Sequence, residues 1–84
     1  MEWEIAVAPI ARKKLAKIPE PDRRRLLAAI GNLQDGLIGD IKPLTDRDEW
    51  RLRVGGWRVV FSADEETHVI RVKRVGVRGD VYKD

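Results

Sequence analysis

The 84-residue chain has no cysteine and a single histidine, His68. Disulfide frameworks, thiol nucleophiles and the Cys/His clusters that hold zinc or iron–sulfur centres are thereby excluded. Long apolar runs are missing too. Nothing approaches the roughly 20 apolar residues of a membrane span, and Glu2 and Glu4 stand where a secretory signal carries positive charge. The expectation is a soluble cytoplasmic protein that makes no use of a membrane. Aromatic residues are only 6% of the chain, so the core has to be built mainly from aliphatic side chains.

What is present is 43% apolar and 37% charged residues, which reads as one small domain spanning residues 1–84 with a modest core. A chain of this length hides only roughly 60–65% of the surface that its unfolded form exposes, so a partner that covers apolar surface would add to thin stability. Seventeen basic residues against fourteen acidic ones give a net charge of +3, and their distribution says more than the sum. The stretch from Trp50 to Phe61 contains Arg51, Arg53 and Arg58 without an acid, and that from Val69 to Gly79 contains Arg71, Lys73, Arg74 and Arg78 without one. A polyanionic partner for the C-terminal half is the physical implication.

Trp3 to Ala8 alternates in the period-2 pattern of a half-buried strand. Pro9 suits a first helical residue, and Ala11, Leu15 and Ile18 then share one helix face. Pro19 ends that helix and Pro21 opens a second, whose stripe of Leu26, Ile30, Leu33 and Leu37, widened by Leu27, predicts a helix to about Leu37. Gly36, Gly39 and Asp40 read as its stop, and Ile41 to Asp46 as a loop. Trp50 to Val54, Trp57 to Phe61 and His68 to Val75 read as strands joined by short turns at Gly55-Gly56 and Asp64 to Thr67. The expected fold is α+β: a two-layer β-α-α-β-β-β domain with a helical hairpin packed on one face of a mostly antiparallel sheet. Alternation turns Arg51 and Arg53 away from Leu52 and Val54. It pairs Arg71 with Lys73 on one strand face and sends Arg74 to the other.

The text K-P-L-(x)5-W-R-L-R-V-G-G-W-R-V-V-F from Lys42 to Phe61, with V-K-R-V-G-V-R-G-D-V-Y-K from Val72 to Lys83, resembles the RelE/ParE toxin superfamily over nearly the whole chain. The closing R-x-x-V-Y-K is more similar to RelE-type than to ParE-type members. The resemblance implies the toxin of a toxin–antitoxin pair that enters the ribosomal A site and cuts mRNA without metal or other cofactor. The family reaction is attack of a ribose 2′-hydroxyl on the adjacent phosphate. The implied partners are a cognate antitoxin, the ribosome and mRNA.

Carried over position by position, the resemblance makes Arg51, Arg53, Arg58 and Arg78 the cations that grip and polarise the scissile phosphate, and Tyr82 the side chain that orients the nucleotide. Arg71, Lys73 and Lys83 are the expected RNA-backbone contacts. Two departures bear on mechanism: some RelE-type members have lysines where this chain has Arg51 and Arg53, and many relatives have a histidine where it has Val77. Arginine holds its proton at every ordinary pH, so the set fits electrostatic catalysis better than acid–base catalysis. Tyr82, Asp80, Lys83 or a ribosomal group is left to move the proton.

On pattern alone, alternating charges are what any solvated sheet face carries. The spacing across Gly55-Gly56 and the resemblance shift Arg51, Arg53 and Arg58 to function. His68 lacks a nucleophile or metal partner in the pattern, and Trp3, Trp50 and Trp57 read as core or core-rim packing. Two rivals share the fold: a ParE-like poison of DNA gyrase, and an antitoxin-binding module with weak or no cleavage.

Overall fold

The computed structural model describes residues 2–44 and 48–77. In chain order these form β1 (Glu4–Val7), α1 (Pro9–Lys17), α2 (Asp22–Asn32), a 3-10 turn (Leu33–Asp35), β2 (Asp40–Pro43), β3 (Trp50–Val54), β4 (Trp57–Asp64) and β5 (Val69–Val77). The strands make one sheet in the order β1-β5-β4-β3-β2. The first strand runs parallel to β5 and every other pairing is antiparallel. Two helices on a five-stranded mixed sheet give the α+β architecture that the sequence implied.

Each helix forms where the apolar spacing placed it. Pro9 opens α1 behind an extended Ala8, and Lys14 and Lys17 lie in its last turn, where positive charge complements the helix dipole. The buried stripe is Ala11 and Leu15, continued by Ile18 just beyond the helix. From α2 come Leu26 and Ile30, and from the 3-10 turn Leu33. These side chains meet Leu52, Val59, Phe61, Ile70, Val72 and Val75 of the sheet in one cluster.

Two elements differ from expectation. The second helix ends at Asn32 and tightens through Leu33–Asp35 into Gly36, whose φ of +136° ends it. Leu37 therefore leaves the stripe and is 40% exposed, and Leu27 is also exposed. The segment read as a loop begins with a strand: Asp40–Pro43 pairs with Trp50–Arg53 along the sheet edge. Its Pro43 masked it, yet proline is tolerated on edge strands.

A polar tie joins the two layers. The Trp57 indole Nε1 donates to Oδ2 of Asp22 at 3.0 Å, fixing the start of β4 to the first turn of α2. Trp57→Phe keeps the ring and removes this half-buried bond to a carboxylate. It is expected to cost about 1–2 kcal/mol, read as a lower midpoint in a urea melt at an unchanged m-value.

Candidate nucleic-acid interface

The inner face of the sheet is set by Leu52, Val59 and Val75, which are cross-strand partners and belong to the core. Residues of opposite parity then form the outer face, away from the helices. One row across it is Asp40 of β2, Arg53 of β3, Arg58 of β4 and Gly76 of β5. The next row is Lys42, Arg51, Val60 and Arg74. Arg53 and Arg58 stand directly opposite each other, with β-carbons about 4.5–5.5 Å apart in such a pair. Arg51 lies one row away on the same face, so three of the expected phosphate-gripping cations come together.

The basic side chains are held differently. Arg51 is only 9% exposed, and its Nη2 lies 3.7 Å from Oδ1 of Asp40. Arg53 is half exposed and donates from Nε to Oδ2 of the same carboxylate at 2.5 Å. Arg58 spends Nη1 on backbone carbonyls at the hairpin, Gly55 at 3.3 Å and Trp57 at 3.1 Å. Among the described residues it has no carboxylate within ion-pair distance. Gly55, at φ +60°, makes the turn that brings β3 and β4 together.

The RNA-backbone candidates on β5 are more scattered. Arg71 pairs across from Ser62, four residues along β4 from Arg58, which is roughly 13 Å at about 3.3 Å per residue. Lys73 sits where the β4–β5 register shifts beside Val60 and Phe61, and its Nζ binds Oε2 of Glu49 at 3.0 Å. That extra residue corrects the expected alternation: Arg74 falls opposite Val60, on the outer face with Arg51 and not on the other side. Arg78, Tyr82 and Lys83, together with Asp80, lie outside the described residues.

Asp40 is the participant that the sequence reading passed over. The sequence pattern places it in a helix stop, but Gly39, at φ +119°, turns the chain so that Asp40 opens β2. A β-carbon at Gly39 would lie 3.1 Å from Leu52 Cδ1, a second reason for glycine there. The available signal was the parity of Asp40 and Lys42 about Ile41. Elsewhere, His68 stacks on Trp3 with ring centroids 3.9 Å apart, and Trp50 and Trp57 pack half-buried against the core. Among the described residues no cluster of acidic or histidine side chains is placed to hold a metal ion, and no helix is long and apolar enough to cross a membrane.

A two-layer domain with a basic outer sheet face fits the toxins of toxin–antitoxin systems, and sequence comparison agrees. The family described as the ParE toxin of type II toxin–antitoxin systems, parDE, matches residues 5–82, and the chain belongs to it. It is a type II toxin with a RelE-like fold. No curated protein matches it by sequence.

Solved structures of RelE–RelB pairs superpose on it closely. The toxin–antitoxin complex RelBE2 of Mycobacterium tuberculosis does so with a TM-score of 0.80 at 23% identity, over 93% of this chain and 100% of that one. For the RelE–RelB complex of Pyrococcus horikoshii the values are 0.79, 24%, 95% and 99%. For that of Methanococcus jannaschii they are 0.74, 27%, 92% and 94%. The family match thus carries the ParE description while these structural neighbours are RelE.

Proposed function

We propose that this toxin uses the outer face of its sheet to bind single-stranded message in the ribosomal A site of the cytoplasm and to cleave it. The 2′-oxygen of a ribose attacks the adjacent phosphorus and the bond to the 5′-oxygen of the next nucleotide breaks, leaving a cyclic phosphate and a 5′-hydroxyl. The observation that carries this reading is the convergence of Arg51, Arg53 and Arg58 on one face, with Arg53 directly opposite Arg58. Fixed guanidinium donors stabilise the negative charge that builds on the phosphate oxygens, each being worth about 3–4 kcal/mol in a water-excluded site. Arg78 and Tyr82 keep the roles that the resemblance gives them, and Arg71, Lys73 and Lys83 extend the backbone track.

The partner in this reading is an antitoxin. An open groove beside β1, lined by Ile5, Val7, Leu15 and Leu27 and edged by Arg12 and Arg23, suits an apolar segment with acidic flanks. Adding the purified toxin to a translation extract and mapping RNA ends tests the activity: cuts are expected inside translated codons, only on ribosome-bound message.

A ParE-like action on DNA gyrase is the second reading. It is favoured by the family match and by the Asp40 carboxylate, which already neutralises part of the arginine set. Intact messages together with inhibited supercoiling by purified gyrase would select it.

A further inference from the structure

Asp40 lies against two of the guanidinium groups that the RNA-binding reading gives to phosphate. Its two oxygens address two guanidinium groups at once, Oδ2 taking Arg53 Nε at 2.5 Å and Oδ1 facing Arg51 Nη2 at 3.7 Å. Phosphate and carboxylate oxygens satisfy a guanidinium in the same way, so the two anions compete for the same donors. Among the described residues, neither arginine has another carboxylate within ion-pair distance.

The competitor is delivered by the fold and is also releasable. Register places Asp40 opposite Arg53, while β2 is the edge of the sheet, so among the described residues one side of the aspartate has no neighbouring strand to obstruct rotation. The Asp40 side chain is 38% exposed and that of Arg53 52% exposed, a setting in which an ion pair holds only weakly.

We propose that Asp40 is an internal stand-in for the RNA backbone. In the free toxin it neutralises Arg51 and Arg53, and it swings aside when a phosphodiester takes its place, setting a threshold that RNA must overcome. This rests on the RNA-binding reading of the outer face.

Two opposite effects follow from removing the charge. Asp40→Asn leaves the buried Arg51 without an anionic neighbour among the described residues, which lowers the stability of the free protein. The same change releases both arginines to phosphate. The test is fluorescence anisotropy of the full chain with a short single-stranded 2′-O-methyl RNA, which resists cleavage, over a range of salt.

Asp40→Asn is expected to bind about 2- to 5-fold more tightly, the size of a half-exposed ion pair. Its log–log salt slope should steepen by roughly 0.7 for each added phosphate contact. Its melting temperature should fall by a few degrees in the absence of RNA.

Unchanged or weaker binding by Asp40→Asn, with Arg53→Ala still weakening binding, overturns the stand-in role and leaves the RNA face intact. Indifference to both Arg53→Ala and Arg58→Ala removes the RNA face and the proposal together. Should Asp40→Asn fail to fold, NMR of the wild-type protein decides: adding the oligonucleotide must shift both the Asp40 side-chain carboxyl carbon and the Arg53 Hε. A static Asp40 carboxyl signal at saturating RNA overturns the proposal.

Discussion

Arg58→Ala is expected to slow cutting of ribosome-bound message by about 10²- to 10³-fold, the usual loss when one preorganised donor to a developing oxyanion is removed. Of Arg51, Arg53 and Arg58, the last is the one without a carboxylate partner among the described residues. Its Nη1 is anchored on the Gly55 and Trp57 carbonyls, so its orientation is set before substrate arrives. Among the described residues Nε and Nη2 have no hydrogen-bond partner, and in the proposed reaction they face the phosphate. Arg58→Lys should recover little, because an ammonium cannot hold two carbonyls and a phosphate in one planar fork.

The two lost side-chain bonds should cost only about 0.5–1.5 kcal/mol each, so a thermal melt separates lost chemistry from lost fold. Primer extension on message from a translation extract, with wild type beside the variant, supplies the rate. Cleavage within twofold of wild type would remove the electrostatic role and give the gyrase reading the weight.

The largest stability effect is expected at Phe61. This side chain is fully buried in β4, between its cross-strand partners Trp50 and Val72 and beside the register shift. Phe61→Ala should cost about 3–5 kcal/mol through lost apolar transfer and the cavity that remains. A chain of 84 residues has roughly 4–13 kcal/mol in all, so this one change consumes much of it. Calorimetry of the isolated toxin should show the melting temperature falling by about 15–30 °C. A shift under 5 °C would mean that the core around Phe61 repacks far more readily than its close burial implies.

Periodicity carried most of this architecture and failed at identifiable places. Ala11, Leu15 and Ile18, and Leu26, Ile30 and Leu33, have spacings that only a helix turns to one side, and all are buried. Leu37 continues the same arithmetic, but the spacing is blind to Gly36, where φ reaches +136° and the helical track is lost. Strand β2 has four residues, one of them proline, and owes its conformation to pairing with β3 and not to its own propensity.

The site was legible to the same depth. Arg51, Arg53 and Arg58 could be assigned to one face because strand parity and a two-glycine turn determine it. Arg74 could not, because a single extra residue in β5 resets the alternation and no composition marks a bulge in advance. Asp40 is not legible because its contacts with Arg51 and Arg53 cross more than ten positions of sequence and depend on an edge strand whose pattern from Ile41 onward is that of a loop. The ParE or RelE character of the target is a property of surface chemistry, and a shared fold does not decide it.

The parallel pairing of Glu4–Val7 with Val69–Val72 bears on how this molecule comes into being. The opening strand has its hydrogen-bonding mate some 65 positions later, as the partners Glu4 and Val69 show, and Ile5 and Val7 border Ile70 and Val72 of the core. Because translation delivers the early strand long before the late one, the sheet cannot close while β5 is still inside the exit tunnel. The arginine rows of β4 also lack their β5 neighbours until then. The outer-face rows are therefore complete only after β5 has emerged and taken its place between β1 and β4.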